Sequence, residues 1–336
     1  MTDYVAMVMN AQGSTPEPVR RPLPVPRAGE VLVKVHASSV NYHDMVNLAG
    51  LIWGEWPRVP MSDGAGEVAA VGPGVTDFSL GDRVIGTFHP DWLDGPPTPQ
   101  VKAELPGDSG DGWLQQYRVA AVSGLVPTPE HLTDIEAATL PCAAVTAWNA
   151  LLEAGIGPGD VVLTQGTGGV SLFAVQLAHA LGAEVILTSS SDEKLDIGSQ
   201  LGATHLINYR NTPDWENETK RITGGRGADL VVDLGGPQTL AQSVRAARMG
   251  GTVAVIGVLT GFDTAPVSVA EVMLNNIRII GITVGSVLSF VELCELITQA
   301  GIKPHISHVF DWSELTEAVR VLQAGEHVGK IALRIT

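Results

Sequence analysis

The segment 161–171 constrains the fold of this chain more than any other part of the sequence. The apolar run Val161-Val162-Leu163-Thr164-Gln165 leads directly into Gly166-Thr167-Gly168-Gly169, and an apolar-faced helical pattern begins at Val170. A strand that ends in a glycine turn and continues as a helix is typical of the first βα unit of a doubly wound parallel sheet. The stretch 161–183 carries no Asp, Glu, Lys or Arg and could span a membrane by length, but its glycines favour the βα interpretation.

Each residue type in this turn suits the binding of a pyrophosphate. Gly166 permits the tight turn, Gly168 lets the backbone approach the anion, and the free N–H groups at the start of the helix attract it. Ser171 stands where Gly or Ala is usual, and we expect it to loosen the helix–strand packing slightly. The turn therefore predicts a dinucleotide site rather than a structural glycine turn, and the predicted contacts are Gly166, Thr167, Gly168, Gly169 and Val170.

The end of the next strand bears on which dinucleotide is bound. NAD sites usually carry Asp or Glu there, about 20 residues after the glycines, to bind the ribose 2′-hydroxyl. Here the strand ends in Leu187-Thr188-Ser189-Ser190-Ser191, and Lys194 follows one helical turn later. Ser189, Ser190, Lys194, Tyr209 and Arg210 could surround a 2′-phosphate, which favours NADP(H). The alternative is that the serines only cap a helix.

The rest of the chain divides into two regions. Its 336 residues are too many for one ordinary core. Before about residue 128, short strands broken by Gly and Pro predict a compact, partly open β-barrel. From about Thr133, helical and strand patterns alternate and predict a parallel sheet. The segment 89–112, crowded with Pro, Gly and Asp, is predicted to be a functional lobe or a solvated insertion anchored by Trp92 and Trp113.

Charge and cysteine content exclude several classes of partner. The net charge of -16 makes nucleic acid and anionic membranes poor partners. Two isolated cysteines form no disulfide framework and fit a reducing compartment. The N-terminal residues lack the features of a signal peptide, so we expect a cytoplasmic protein.

Several further motifs complete a pattern that covers nearly the whole chain. They are VHASSVNYHD at 35–44, PMSDGAGEVAAVG at 60–72, GDRV at 81–84, PCAAVTAW at 141–148, QGTGGVS at 165–171, VVDLGG at 231–236, VIGVLTG at 255–261 and VGKIAL at 328–333. Together they resemble the medium-chain dehydrogenase/reductase superfamily, and most closely its zinc-independent quinone oxidoreductase-like and enone-reductase branches. The resemblance implies an α/β protein with a GroES-like catalytic domain (1–128 and 285–336) and a Rossmann domain (129–284).

The resemblance also implies further cofactor contacts and an oligomer. It places Thr146 near the nicotinamide and Val284 and Gly285 at the nicotinamide end. Additional cofactor contacts are implied for Asn41 and for the segment Gly257, Val258 and Leu259. Family members commonly pair through an edge strand, here 277–284, so a homodimer is expected.

The positions that bind catalytic zinc in the family are altered here. Zinc members carry Cys where Asn41 stands and a His-Glu pair where Ser62 and Asp63 stand, and Cys142 alone matches the third ligand. Asn and Ser are poor zinc ligands, and 89–112 contains no cysteine for a structural zinc. We therefore expect no zinc. A rearranged site that uses His43, Asp44, Asp63 and Cys142 is the alternative.

Without a Lewis acid, substrates that accept hydride readily become the better candidates. Quinones and α,β-unsaturated carbonyls delocalise the charge, and the protein then supplies orientation and hydrogen bonds to the oxyanion. The candidate catalytic residues are Asn41 and Tyr42, with Asp44, Ser62 and Asp63 nearby. We expect Asn41 to take substrate or nicotinamide as its partner, because a buried amide needs hydrogen bonds.

The substrate itself is a small molecule, and two tryptophans bear on its character. Trp53 and Trp56 either wall an apolar or aromatic substrate pocket or serve packing. Two other functions stay open: an alcohol or carbonyl dehydrogenase with a degenerate or absent zinc site, and a non-catalytic NADPH-binding sensor.

Overall fold

The computed structural model describes residues 3–52, 54–263 and 265–336. The chain forms two compact units: the first unit comprises Met1–Val145 and Val284–Thr336, and the second unit comprises Thr146–Thr283. The expected domain boundaries assigned 129–145 to the second region. These residues join the first unit because the helix Asp134–Ala137 packs on its sheet.

Strands and helices are numbered in chain order over the described residues. The strands are β1 (Asp3–Val8), β2 (Glu17–Pro22), β3 (Glu30–Val40), β4 (Asp63–Val71), β5 (Arg83–Gly86), β6 (Tyr117–Ala121), β7 (Leu125–Pro127), β8 (Val161–Gln165), β9 (Glu184–Ser189), β10 (His205–Asn208), β11 (Ala228–Asp233), β12 (Ala247–Val255), β13 (Arg278–Gly281), β14 (Ile306–Asp311) and β15 (Lys330–Arg334). The helices are α1 (Tyr42–Leu48), α2 (Asp134–Ala137), α3 (Val145–Ala154), α4 (Gly169–Ala180), α5 (Asp192–Gln200), α6 (Trp215–Ile222), α7 (Leu240–Ala246), α8 (Val269–Leu274), α9 (Val287–Ala300) and α10 (Leu315–Gln323).

The first unit is built on a mostly antiparallel sheet with the strand order β14-β15-β3-β4-β5-β7, in which β6 also pairs with β3. The long strand β3 is central, and its valines lie in the core. Trp113 packs across two neighbouring strands. A Cβ atom on Gly64 of β4 or on Gly86 of β5 would lie 2.2 Å or 1.8 Å from its indole ring, so only glycine fits at both positions.

The segment 89–112 is fixed at both ends by tryptophans, as expected. Trp92 and Trp113 are buried. The Trp92 indole N–H donates to Gly95 O, 2.9 Å away, and Val287 N at the start of α9 donates to Trp92 O, 2.8 Å away. The segment is therefore docked on its own unit.

The second unit is a parallel sheet with the strand order β10-β9-β8-β11-β12-β13. Counted from β8, this is the order 3-2-1-4-5-6 of a dinucleotide-binding fold, so the doubly wound prediction is confirmed. The direction of winding reverses between β8 and β11, and ligands of such sheets bind beyond the carboxyl ends of the strands at that point. The segment 161–183 forms β8 and α4. Over the described residues, none of the helices has the length and apolar character that crossing a membrane requires.

Candidate cofactor site and active site

The glycine turn after β8 has the geometry of an anion-binding loop. Gly166 has a φ of 75°, which disfavours any residue with a side chain, although a Cβ atom there would meet nothing closer than 3.9 Å. Gly168 is the N-cap of α4, and the first helical hydrogen bond runs from Leu172 N to Gly168 O. The amides of residues 169–171 precede that bond, so they can donate to an anion.

Ser171 closes this turn instead of loosening it. Its hydroxyl is buried and donates to Gln165 O, 2.7 Å away, so the last residue of β8 is tied to the first turn of α4. The expected looser packing was wrong, because the hydroxyl finds a main-chain acceptor inside the turn.

A buried polar network beneath the turn holds the loop that follows β11. Gln165 Oε1 accepts from Leu234 N and Gly235 N at 3.3 and 3.2 Å. Asp233 Oδ1 accepts from Gly236 N at 2.8 Å, and Asp233 Oδ2 accepts from the hydroxyl of Ser243 at 2.5 Å. Sequence reasoning missed this network. The signal for it was a polar residue at the end of each of two buried neighbouring strands.

The segment after β12 approaches the same loop closely. A Cβ atom on Gly257 would lie 2.1 Å from Leu234 O, so the backbone contact requires glycine. Gly257 N donates to Asp233 O at 3.2 Å. Val258 is half-buried and Leu259 is exposed, which leaves both able to contact a ligand beyond the strand ends.

The serines at the end of β9 were interpreted either as a helix cap or as part of a 2′-phosphate site, and their positions are compatible with both. Ser189 is buried, and its main-chain oxygen accepts from Tyr209 N at 3.0 Å, which brings the ends of β9 and β10 together. Ser191 is the N-cap of α5, and its hydroxyl accepts from Lys194 N. β9 itself ends without an acid. The acid that follows, Asp192, accepts from Asn208 Nδ2 at 2.6 Å.

The remaining predicted cofactor residues lie in different units. Thr146 is buried at the start of the second unit. Val284 and Gly285 begin the last part of the first unit, and Val284 has a φ of 60°. A β-branched residue in that region is strained, and such strain concentrates at functional sites.

In the first unit, Asp44 joins two candidate segments through their backbones. Its Oδ2 accepts from Asn41 N at 2.9 Å and its Oδ1 accepts from Ser62 N at 2.8 Å. Asn41 is the N-cap of α1, and Ser62 directly precedes β4. With both oxygens used in this way, the buried carboxylate positions Asn41 and Ser62.

Asp63 is the centre of a second set of hydrogen bonds. Its Oδ2 accepts from the Ser39 hydroxyl at 2.6 Å and from Asn41 Nδ2 at 2.8 Å. Its Oδ1 accepts from Cys142 N at 3.0 Å. Asn41 therefore finds a partner inside the protein, contrary to the expectation that substrate or nicotinamide supplies it.

Lys330, which sequence reasoning did not single out, completes this cluster. Its Nζ donates to Asn41 Oδ1 at 2.5 Å and to Val40 O at 3.3 Å, and lies 3.5 Å from Asp63 Oδ2. The side chains of Lys330 and Asp63 are only 3% and 0% exposed. Burial raises the pKa of Asp63, and the nearby Lys330 charge opposes that rise. A lysine at the start of an apolar closing strand was the available signal.

These residues do not fit a catalytic zinc ion. Asn41 Oδ1 and Asp63 Oδ2 face an ammonium group, which would repel a divalent cation. Burial raises the pKa of the Cys142 thiol well above its usual range. Within the described ranges, no group of three or more His, Cys, Asp or Glu side chains is arranged to hold a metal. Of the residues of the alternative site, His43 faces Asp108, with Nε2 4.0 Å from Asp108 Oδ2, and Asp44 and Asp63 accept hydrogen bonds from protein donors.

The other candidates differ in accessibility. Tyr42, the first residue of α1, is 36% exposed. Ser62 is fully buried, and within the described part of the chain its hydroxyl has no hydrogen-bond partner. Trp56 stacks on the guanidinium of Arg58, 3.9 Å from the ring centre, which favours the packing interpretation. Trp53 lies outside the described residues.

Two family models match the chain. Residues 27–130 match the alcohol dehydrogenase GroES-like domain, and residues 169–299 match the zinc-binding dehydrogenase domain. A zinc-type alcohol dehydrogenase-like protein of Schizosaccharomyces pombe is 42% identical over 91% of this chain and 91% of its own length.

Solved structures agree with these matches. A putative alcohol dehydrogenase of Sinorhizobium meliloti is 40% identical and covers 99% of both chains, with a TM-score of 0.93. A quinone oxidoreductase of Coxiella burnetii is 25% identical and covers 100% of both chains, with a TM-score of 0.77.

Proposed function

The chain belongs to the medium-chain dehydrogenase/reductase superfamily and is an oxidoreductase, and from that starting point we propose that it is a zinc-independent, NADPH-dependent reductase of quinones or α,β-unsaturated carbonyls. A bound NADPH would supply the hydride, which would be transferred to the β-carbon of an enone or to a quinone. The electron pair then moves to the carbonyl oxygen, and a proton completes the reduction.

One observation carries this proposal. The positions that bind zinc in family members include a buried cluster in which the Lys330 ammonium contacts Asn41 and lies 3.5 Å from Asp63 Oδ2. Such a cluster offers hydrogen bonds to an oxygen and not a Lewis acid. Substrates whose carbonyl is already activated by conjugation suit it best.

The residues of the cluster have distinct proposed roles. Asn41 donates its remaining Nδ2–H to the developing oxyanion and is the proposed catalytic residue. Tyr42, which is 36% exposed, is a proposed proton donor alongside solvent. Asp44 and Asp63 act by positioning, because their carboxylates are occupied by protein donors. Ser62, whose buried hydroxyl has no partner among the described residues, is a further proposed hydrogen-bond donor.

The proposed cofactor preference rests on the end of β9. Ser189 and Ser190 stand where an NAD site usually has its acid, and Lys194 and Tyr209 can bind a 2′-phosphate. Asp192 is engaged with Asn208, which reduces its ability to bind ribose hydroxyls. The amides of 169–171 and the loops around Gly236 and Gly257 would hold the rest of the dinucleotide.

A second function is favoured by the names of the relatives. Both the Schizosaccharomyces pombe and the Sinorhizobium meliloti proteins carry alcohol dehydrogenase names, and this chain retains Cys142. In that case the substrate would be a simple alcohol or aldehyde, and a metal bound in another arrangement would be required for efficient turnover.

Turnover and metal content separate these functions. The purified protein is assayed for oxidation of NADPH and NADH with quinones, enones, enoyl thioesters and aldehydes, before and after dialysis against a chelator, and its zinc content is measured by mass spectrometry. We expect NADPH oxidation with a quinone or enone that survives the chelator and less than one zinc per ten chains. Chelator-sensitive aldehyde reduction restored by zinc would establish the second function. Tight NADPH binding without turnover on any acceptor would indicate a sensor.

We also propose a cytoplasmic homodimer. The edge strand β13 has one unpaired side in the second unit's sheet. Exposed apolar residues lie on β12, α8, β13 and the loops between them: Met249, Phe262, Val269, Met273, Leu274 and Ile279. Burial of this surface against a second copy would remove an exposed sheet edge. Light scattering should give twice the chain mass, and Ile279→Lys should give the monomer.

A further inference from the structure

We infer that Lys330 is a positioning residue that selects one orientation of the Asn41 side-chain amide and thereby reserves one N–H of that amide for a carbonyl oxygen of the bound ligands. The inference deepens the proposed function and depends on it only where turnover is measured. It gives a function to Lys330, the buried lysine that contacts Asn41 and Asp63.

The orientation follows from the two charges on either side of the amide. Lys330 Nζ lies 2.5 Å from Asn41 Oδ1, and Asp63 Oδ2 lies 2.8 Å from Asn41 Nδ2. Rotation of the amide by 180° would turn its amino group toward the ammonium and its oxygen toward the carboxylate. Both ends would then repel their neighbours, and burial strengthens each repulsion.

The count of donors and acceptors shows what remains for a ligand. A side-chain amide has two N–H donors and one oxygen acceptor. One N–H of Asn41 goes to Asp63 and the oxygen goes to Lys330. Over the part of the chain that the structure describes, no acceptor is recorded for the second N–H. Asn41 is buried, and 7% of its surface stays exposed.

The backbone on both sides of the amide is fixed by the same cluster. Val40 O accepts from Lys330 Nζ at 3.3 Å, and Asn41 N donates to Asp44 Oδ2 at 2.9 Å. β15, which carries Lys330, pairs with β3, whose last residue is Val40. The amide is therefore held by its main chain as well as by its side chain, and a donor held in this way loses little freedom when a carbonyl oxygen arrives.

Two ligands could use the reserved N–H. The first is the carbonyl oxygen of the substrate, on which negative charge develops during hydride transfer. The second is the carboxamide oxygen of the nicotinamide. Both are carbonyl acceptors, and they are separated by measurement of turnover and of NADPH affinity on the same variants.

The test compares Lys330→Met, Lys330→Met/Asp63→Asn and a control. The single variant leaves Asp63 as a buried carboxylate without its cation and could fail to fold. The double variant removes both charges, so it should fold while the amide loses both charged partners. Lys303→Met is the matched control, because it removes an exposed lysine that pairs with Glu136 at the surface of the same unit.

Three readouts are taken on each folded variant: kcat and KM for the acceptor, the Kd for NADPH by fluorescence, and the exchange rate of the Asn41 side-chain amide protons by NMR with ¹⁵N-labelled asparagine. For the double variant we expect a kcat at least ten-fold lower with KM for the acceptor changed less than three-fold, and faster exchange at Asn41. An unchanged Kd for NADPH would assign the N–H to the substrate, and a Kd raised at least ten-fold would assign it to the nicotinamide.

The inference is overturned if the double variant folds and its Asn41 amide protons exchange as in the native protein. It is also overturned if kcat, KM and Kd all stay within two-fold of the native values. If the native protein turns over no acceptor, the proposed reductase function fails, and the exchange rates and NADPH affinities still decide the role of Lys330.

Discussion

The hydroxyl of Ser171 and the main-chain oxygen of Gln165 lie 2.7 Å apart and join the first turn of α4 to the last residue of β8. This bond spans the glycine turn that we propose binds the pyrophosphate. The turn is thus held by a side chain at the position where most such motifs have no polar group.

Replacement of Ser171 by Ala should destabilise the protein by about 1 kcal/mol, because a buried hydrogen bond is lost while the packing is nearly preserved. Urea unfolding measures the difference in the free energy of unfolding. Ser199→Ala, on the exposed side of α5, is the control and should change it by less than about 0.5 kcal/mol. Equal stability of the two variants would show that the Ser171 bond contributes nothing.

The fold could be predicted from the sequence because its signals are local. The strand, turn and helix at 161–183 are consecutive in the chain, and they identify the parallel sheet without knowledge of the rest. The candidates Asn41, Ser62 and Cys142 were identified from sequence motifs, each of which is also continuous in the chain.

The candidate site could be predicted only in part, because its decisive contacts join distant residues. Lys330 and Asn41 are 289 residues apart in the chain, and the strand pairing of β15 with β3 brings them together. The other partner of the Asn41 amide, Asp63, is 22 residues away and reaches it only in the folded chain, so this buried amide was expected to require a ligand. The sequence also does not show that Asp44 accepts from both Asn41 N and Ser62 N, because Ser62 is 18 residues away and is brought close only by folding.

Lys194 should decide the preference between the two dinucleotides. If it binds the 2′-phosphate, Lys194→Ala removes a charge-assisted hydrogen bond, which contributes about 1.5–3 kcal/mol. The Kd for NADPH should then rise at least about ten-fold while the Kd for NADH stays the same. Both constants are measured by fluorescence titration. Lys220→Ala on α6 is the control, and an equal loss of affinity for both dinucleotides would contradict a phosphate contact.

Gly257 should tolerate no side chain. A Cβ atom there would lie 2.1 Å from Leu234 O, so Gly257→Ala must push apart the loops that follow β11 and β12. We expect a loss of about 1–3 kcal/mol in the free energy of unfolding, together with weaker NADPH binding. Thermal unfolding and titration measure both effects.

The control for Gly257 is another glycine of the second unit. A Cβ atom on Gly157 would meet nothing within 4 Å. Gly157→Ala should therefore be neutral or raise stability by about 0.4–1 kcal/mol. If the two alanine variants behave alike, the close approach of the two loops is not what constrains Gly257.

His89 should make stability depend on pH between about 4 and 6.5. Its ring is buried beside Phe88, with ring centres 4.9 Å apart, and burial together with the charge of Lys102 lowers its pKa from 6.5 to about 4. Because the unfolded chain takes up the proton first, stability is complete above pH 6.5 and falls as the pH drops toward 4. The loss at pH 4 should reach about 3 kcal/mol.

The variant His89→Gln isolates this effect from the carboxylates that titrate in the same range. At pH 7 it should be less stable than the native protein, because packing against Phe88 is lost. Between pH 6.5 and 4 the gap should shrink, since the glutamine takes up no proton. His179→Gln, which removes an exposed imidazole, is the control in urea unfolding across this range. A constant gap between native and His89→Gln proteins from pH 7 to pH 4 would mean that His89 accepts its proton as readily in the folded chain as in the unfolded one.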